Sequence, residues 1–589
     1  MFTTFKKKNN SVYVIMIVLL ITKILGFFKL RTIAQLFGVS HELDIFWAAF
    51  TIPDMLFMVI VAGSINASII PILSSIFHKK GEKDLNKFFN SLLLVISTIV
   101  LFIALILFIL TPQITAFIID SENLQSFLNF SQRIDSEDFE LFVTLTRIMM
   151  LSPILLSIST LLTGYLHVRK QFFISSLGPL FYNLAMIITP IILVKVWRFG
   201  VDGIAWAAVL GSLLHLLVQI PTFITLYNTR IELSPKRIDL AFKDRQIWKA
   251  IRLAIPRIIS TIGEQINVVV NTLISFTLNV GALSAYKFAI SLHTFPINII
   301  GSAVAQVSLP DLVENSEDVD KFKKVLNKSL RLSLYLVLPL VSIFLILRFP
   351  IVRLAYGTGA FDWRATIITA WCLVLLTISV IGQTITQILV RAFYALKETW
   401  IPLFAVAVGI VVNIAFAYWG SNFFSHYYDW RPIVGQMGTQ ISNADGGEFF
   451  TVLMSFFHDI GKWSTSKGDS DMAVGGLSLS LSISYLTEMV ILAILLNKNG
   501  RIITWSDSIR PMMVMVANMI ITSVGMYFVY RLFDFQLDTS RTISIIILTA
   551  CTSVYGLVSY WIGSKVFGIE EVEYFEEKVK NLIKKILKK

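Results

Sequence analysis

The chain has 589 residues, 55% hydrophobic and only 15% charged, with a mean hydropathy of +0.73. So much apolar surface excludes a set of water-soluble domains and indicates an all-α polytopic membrane protein, because lipid admits helices whose backbone is satisfied internally over runs of about 20 apolar residues. The net charge of +12 does not point to nucleic acid, since the cations gather in loops beside apolar segments, as cytoplasmic headgroups and topology require.

In chain order, "MFTTFKKKNN" reads as the charged flank of an uncleaved first span, because no small-residue cleavage site closes the apolar run after it. Fourteen spans are predicted, near 11–38, 42–74, 86–118, 139–166, 171–197, 203–226, 247–277, 283–309, 325–348, 365–395, 398–420, 473–497, 508–531 and 540–567. The loops "HKKGEKDLNK", "HVRK", "DKFKKVLNK" and "LLNKNGR" are basic and fall on one side in this numbering. "VSHELD" and "DSENLQSFLNFSQRIDSEDFE" are acid-rich and fall on the other, which places both termini in the cytoplasm. The loop at 349–364 fits less well, since it holds Arg353 and Arg364. The insert at 421–472, richer in Gly, Ser and Asp, is predicted to be an extracytoplasmic loop.

Charges inside the spans are the functional signal, because each costs at least about 2.5–3.5 kcal/mol at the bilayer centre. In the first span Lys23 and Lys29 flank Gly26, six residues and roughly 120° apart on a helix. On a straight helix they cannot form one tight clamp, although both can border a wide cavity; snorkelling is the alternative for Lys29 and for Arg31 a turn further out, and less so for Lys23. Asp44 opens span two, nine residues before Pro53, and Lys287 precedes Pro296 by the same interval, with Ser291 on the face of Lys287. Arg147 lies in span four. Glu264, Asn267 and Asn271 make a polar stripe in span seven that either holds a coupling monovalent cation or hydrogen-bonds between helices.

Enzymatic signals are weak. Cys372 and Cys551 sit in separate apolar runs, with neither metal nor disulfide spacing. "FFHDIGKW" contains His458-Asp459, a pair used in metal phosphohydrolases, but such a site needs further His and Asp ligands and the insert has only His426 besides. There is no GxxxxGK[ST] loop for ATP. No cofactor or resident metal is therefore expected.

The chain repeats itself. "FTIPDMLFMVIVAGSINASIIPILSSIFHKKGEKDLNKFFNSLLL" from Phe50 is echoed by "HTFPINIIGSAVAQVSLPDLVENSEDVDKFKKVLNKSLRL" from His293. "YLHVRKQFF…GPLFYN" is echoed by "FYALKETWIPLF…VVN" in the same order. Spans 1–6 and 7–12 thus read as two parallel six-helix lobes, an arrangement that places substrate between the lobes and exposes it to either side in turn. The expected divisions are an N-terminal lobe at 1–226, a cytoplasmic linker at 227–246, a C-terminal lobe at 247–497 carrying the insert, two extra helices at 498–567 and a basic tail at 568–589.

"TKILGFFKLRTIAQLFGVSHELDIFWAAFTIPDM" with "AGSINASIIPIL" resembles the opening of the MurJ (MviN) family of lipid II flippases. "LISFTLNVGALSAYKFAISLHTFPINIIGSAVAQVSLPDL" is similar to their spans seven and eight, and "GVDGIAWAAVLGSLLHLLVQIP" to span six. The resemblance implies the fold of the multidrug/oligosaccharidyl-lipid/polysaccharide exporter superfamily. It also implies transport of an undecaprenyl-diphosphate-linked peptidoglycan precursor to the outer leaflet of the bacterial cytoplasmic membrane. The implied partners are that lipid, the surrounding membrane lipids and cell-wall synthesis enzymes. The family's Ser-Arg-x-Leu-Gly-x-x-Arg pattern reads Thr22-Lys23-Ile24-Leu25-Gly26-Phe27-Phe28-Lys29 here, keeping charge but losing the bidentate fork of arginine. The span-two arginine is Phe57, and the span-eight cluster reads Ile290-Ser291-Leu292-His293-Thr294. The implied substrate contacts are Lys23, Lys29, Asp44, Lys287 and Ser291. Alternatives are export of another polyprenyl-linked glycan or amphipathic compound, or a non-transporting membrane scaffold.

Overall fold

The computed structural model describes residues 2–59, 69–120, 136–227, 235–442, 446–498, 508–573 and 576–577. It is helical, and among the described residues eleven helical segments are long and apolar enough to cross a membrane. The chain divides into two compact units, one of 1–284 with 358–362 and one of 285–357 with 363–589.

Unit 1 holds α1 (Phe2–Phe37), α2 (His41–Phe57), α3 (Ile70–Lys80), α4 (Glu82–Asp120), α5 (Ser136–Met149) and α6 (Leu151–Val168). It continues with α7 (Phe172–Pro190), α8 (Asp202–Leu217), α9 (Ile220–Leu226), α10 (Pro235–Phe242), α11 (Arg245–Phe276) and the first turn of α12 (Ala282–Pro296). Ser40 starts α2 by accepting a hydrogen bond from the Leu43 amide, and Asp244 starts α11 by accepting one from Gln246. The core at the basic-loop end is aromatic: Phe89 packs 4.9 Å from Tyr165, and Phe223 stacks on Tyr227 at 4.8 Å. Both tyrosines spend their hydroxyls on Asn86, Tyr165 at 2.7 Å on Oδ1 and Tyr227 at 3.2 Å on the carbonyl. Deeper in the unit, hydroxyls join the spans: Ser152 bonds Ser212, Ser159 meets His215 Nδ1 at 2.6 Å, and Thr163 donates to Gln219 at 2.9 Å. Such pairs hold helices together where apolar burial no longer drives association.

Residues 358–362, far along the chain, close the end of α1. The Ala360 amide donates to the Gln35 carbonyl at 3.0 Å. Gly359 has φ +64°, and a Cβ there would stand 2.4 Å from that same carbonyl oxygen, so the approach requires glycine.

Unit 2 holds the rest of α12, α13 (Ser302–Glu314), α14 (Val319–Ile346), α15 (Arg348–Tyr356), α16 (Trp363–Ala395) and α17 (Trp400–Ser425). It then runs through α18 (Tyr427–Ser442), α19 (Gly446–Thr465), α20 (Gly475–Lys498), α21 (Arg510–Gln536) and α22 (Thr542–Val566). α20 is bound to its neighbours by serines: Ser484 donates to the Gly409 carbonyl at 2.7 Å, Ser480 to Asn413 at 2.9 Å and Ser482 to the Leu375 carbonyl at 2.6 Å. Asp318 caps α14, and its hydrogen bonds from Lys321 hold the carboxyl below the usual range.

The sequence echo has a structural counterpart. After Pro53 the helix widens to π geometry at 58–59, and after Pro296 a π-turn runs over Ile297–Gly301. The stretch 60–68 within predicted span two lies outside the described residues, as do 228–234 of the linker and most of the basic tail.

The insert corrects the sequence expectation. It is a helical hairpin rather than a loop, with α18 and α19 against each other and α19 on α17. His426, the second histidine of the metal alternative, is committed to Asp429 at 2.7 Å and to Ser466 at 3.0 Å. Among the described residues no group of three or more His, Cys, Asp or Glu side chains is placed to hold a metal ion.

Candidate functional site

The first-span cations fall on different faces of α1. Thr22, Gly26 and Lys29, at i, i+4 and i+7, form the stripe that meets α7. The Thr22 carbonyl accepts from Asn183 Nδ2 at 3.1 Å, while its hydroxyl bonds back to the Val18 carbonyl at 2.8 Å. Gly26 faces the same Asn183. One turn on, the Lys29 ammonium lies 5.6 Å from the centre of the Tyr182 ring. Asp54 of α2 acts electrostatically on both Lys29 and Tyr182. The result is an ammonium set over a π face with a carboxylate acting on it through space, and its N–H donors are ones an anion can claim. Lys23 is exposed beside Ile24 and Phe27, so the structure does not bring the two lysines together. Arg31 is half-buried on α1.

Asp44, expected as a substrate contact, is engaged within the protein in this structure. Its Oδ2 accepts from the Gly281 amide at 2.7 Å, and its Oδ1 accepts from the Ser284 amide at 2.7 Å and the Ser284 hydroxyl at 2.6 Å. The carboxylate, 4% exposed, is thus the cap of α12 supplied from another helix. Gly281 has φ +88°, and a Cβ there would stand 2.2 Å from the Val39 side chain. His41, on the turn before Asp44, bonds Asp138 at 2.9 Å.

Arg147 is pinned to α4, its Nε donating to the Phe108 carbonyl at 3.4 Å and its guanidinium 5.1 Å over the Phe108 ring. In the span-seven stripe Asn271 is buried and Asn267 half-buried, while the Glu264 side chain lies outside the described residues. In unit 2, Lys287 and Ser291 are both half-buried on one face of α12, and Ser291 is hydrogen-bonded with Tyr356. Next to them His293 is buried with Nε2 2.8 Å from the Ser379 hydroxyl. Sequence reasoning missed Asp54, Tyr182 and Asn183; the signal available was an acid, Asp54, within a span otherwise counted as apolar.

Unit 1 also contains an apolar cavity of about 350 Å³ between α2, α4 and α11, lined by Thr51, Met55, Leu107, Thr272 and Phe276 among others. Its size falls within the roughly 300–1,000 Å³ of ligand pockets, and its walls suit hydrocarbon. Met55 adjoins Asp54 in sequence, so α2 carries both the wall of this cavity and the acid of the cation cluster.

Eleven apolar membrane-length helices among the described residues define a polytopic α-helical membrane protein. A family profile described as "Lipid II flippase MurJ" matches residues 33–428. The chain belongs to the lipid II flippase MurJ family. It is 30% identical over 396 residues to a probable lipid II flippase MurJ of Buchnera aphidicola subsp. Acyrthosiphon pisum, covering 67% of this chain and 74% of that one. It is 26% identical over 440 residues to lipid II flippase MurJ of Burkholderia cenocepacia, covering 74% and 80%. In fold it is similar to a solved lipid II flippase MurJ in an inward closed conformation, with TM-score 0.65 and 19% identity over 94% of this chain and 98% of that one. It is also similar to an inward-facing multidrug resistance MATE family transporter of the MOP superfamily, with TM-score 0.55 and 14% identity over 82% and 99%.

Proposed function

We propose that Lys29, held between Tyr182 and Asp54, is the principal diphosphate-binding cation of a lipid II flippase. As a member of that family the protein is a multi-pass transporter of the cytoplasmic membrane, not an enzyme, and carries the undecaprenyl-diphosphate-linked peptidoglycan precursor from inner to outer leaflet. The observation behind the Lys29 reading is its position: an ammonium deep in a span, held by a ring and an acid that an incoming phosphate can replace. Phosphate oxygens outcompete a π face because they offer charge-assisted hydrogen bonds.

Fourteen spans in two six-helix lobes plus two C-terminal helices, with both termini cytoplasmic, are the arrangement that fits this task. Lys287 is a further cation for the headgroup, with Ser291 beside it, whereas Lys23, exposed on another face of α1, would meet the headgroup only as it enters from the membrane. Lysine throughout implies monodentate contacts that yield more easily than an arginine fork, suited to a ligand that must leave. Asn267 and Asn271 support helix packing in this reading, and Arg147, bound to α4, stays outside the headgroup site. The driving force is the membrane potential or an ion gradient acting on an alternating-access cycle. Cell-wall synthesis enzymes are the partners that consume the product.

The test is complementation of a flippase-depleted bacterium together with an assay of lipid II accessibility at the outer leaflet. Wild-type protein restores both. Growth without outer-leaflet exposure would point to the scaffold role, and failure of both would point to another lipid-linked cargo.

A further inference from the structure

One end of unit 2 carries a second cavity, of about 290 Å³, between α15, the start of α16 and the turn joining α21 to α22. It lies at the ends of membrane-length helices: α14 ends at Ile346, α21 ends at Gln536 and α22 begins at Thr542. The cavity therefore opens at the boundary between hydrocarbon and water, the level of lipid phosphates. Its aromatic wall fits that level, with Trp363 55% exposed and stacked 6.1 Å from Phe349.

The charges in it are unusual. Arg353 lays its guanidinium 5.5 Å from the Trp363 ring centre, yet among the described residues no carboxylate comes within ion-pair distance of it. Asp534 lines the same cavity; among the described residues no cation comes within ion-pair distance of it, and Arg531 of the same helix acts on it only through space. The neighbouring charges are otherwise occupied. Arg364 grips Asp471 with two bonds of 2.8 Å, Asp538 meets Arg541 at 3.3 Å, and Arg531 bonds the Tyr527 hydroxyl at 3.1 Å. Arg348 stacks 5.0 Å from the Phe349 ring and donates to the Leu345 carbonyl; burial pulls its guanidinium below the ordinary value, partly offset by Tyr530 and Tyr527. The cavity thus presents one cation and one anion that face a common space without neutralising each other, over an apolar floor of Ile545 and Leu548.

A ligand that satisfies both must itself be a dipole with an adjoining apolar part. We propose that this cavity binds the headgroup of a zwitterionic phospholipid of the phosphatidylethanolamine type, its phosphate on Arg353 and its ammonium on Asp534. The phosphate takes the in-plane N–H donors that stacking on Trp363 leaves free, and the primary ammonium offers N–H donors to the carboxylate. A purely anionic headgroup would leave Asp534 facing like charge. A trimethylated ammonium has no N–H to give. The site also accounts for the arginines of the 349–364 loop, which run against the charge pattern of the other loops on that side: Arg364 is paired within the protein, and Arg353 is paired with lipid. The inference depends on membrane placement and not on the transported substrate.

Purified full-length protein in mild detergent is incubated with phosphatidylethanolamine, phosphatidylcholine or phosphatidylglycerol, and retained lipid is counted by native mass spectrometry. Phosphatidylethanolamine should be retained about tenfold better than either of the others, the loss of one charge-assisted contact. Arg353→Gln and Asp534→Asn should each reduce its retention about tenfold. Asp534→Asn should at the same time raise retention of phosphatidylglycerol, a gain that a misfolded variant does not show. Equal retention of the three lipids by wild-type protein, or retention of phosphatidylethanolamine unchanged in both variants, overturns the proposal. Because the measurement involves no transport, a negative flippase assay leaves it standing.

Discussion

Replacing Asp44 by alanine separates a structural carboxylate from a substrate ligand. The side chain accepts three hydrogen bonds, two from backbone amides at 2.7 Å and one from the Ser284 hydroxyl at 2.6 Å, and is 4% exposed. Hydrogen bonds to a charged group contribute about 1.5–3 kcal/mol each. They are not additive, and the Ser284 hydroxyl can turn to another acceptor, so the whole cap is worth roughly 3–5 kcal/mol, comparable to breaking a buried charge pair. That is a large part of the about 5–15 kcal/mol that holds a typical domain together. At about 2–4 °C per kcal/mol, the midpoint of heat-induced loss of monodisperse protein should fall by roughly 6–20 °C. Asp44→Asn keeps one acceptor oxygen but turns an amide N–H₂ toward the Gly281 amide, and should lose about half as much. The assay is size-exclusion of detergent-solubilised protein after a heating series, run beside outer-leaflet lipid II exposure in cells. An Asp44→Ala protein with the wild-type midpoint and no transport would refute the cap and return Asp44 to the substrate.

Lys29→Ala should abolish transport at normal membrane abundance and Lys29→Arg should retain much of it, with Tyr182→Leu intermediate, all read by complementation and lipid II exposure. Lys287→Ala should also abolish transport, and adding Ser291→Arg should restore part of it by returning a cation one helical turn away; full activity of Lys287→Ala would make that cation dispensable. Cysteines introduced at Ser442 and Lys588, with Cys551 replaced, should react with an impermeant thiol reagent on opposite sides of the membrane; labelling of both from outside would break the fourteen-span topology. Burial pulls the Lys467 ammonium of the insert down to about 8, against the opposing pull of Asp469. Between that value and the ordinary one the unfolded insert holds a proton that the folded insert releases, so the hairpin should gain stability as pH rises through this window. Proteolysis of the insert, scaled to a control peptide at each pH, should slow between neutral and alkaline pH, and Lys467→Met should remove the dependence.

The spans were legible because their apolar runs leave few readings other than helix in lipid, and the repeat was legible because both halves kept proline followed by small residues. The position of Lys29 inside a span was legible as a charge among apolar residues, whereas its neighbours Tyr182 and Asp54 were not. Asp44 stood out at the head of span two, but its cap of α12 was not legible, since its partners Gly281 and Ser284 lie far along the chain and no local pattern names them. Asp54 passed unnoticed beside the more conspicuous Pro53. The insert was misread through its glycines, although Phe449, Leu453, Phe456, Ile460 and Trp463 keep helical spacing and are the positions that α19 turns inward. Arg364 looked misplaced because its partner, Asp471, sits across the insert.

The closure of α1 by residues 358–362 sets an order of events during synthesis. Gln35 emerges from the ribosome early, whereas Ala360, which donates to its carbonyl, follows after more than half the chain's length. Domains generally complete in the order they are made, but unit 1 is an exception: its first helix waits for a segment threaded between α15 and α16. Until then the Gln35 carbonyl lacks the amide that closes it in the folded protein. A nascent chain halted before residue 358 therefore carries every span of unit 1 and still lacks its last stitch, which makes that interval the one in which a membrane-insertion chaperone has something to hold.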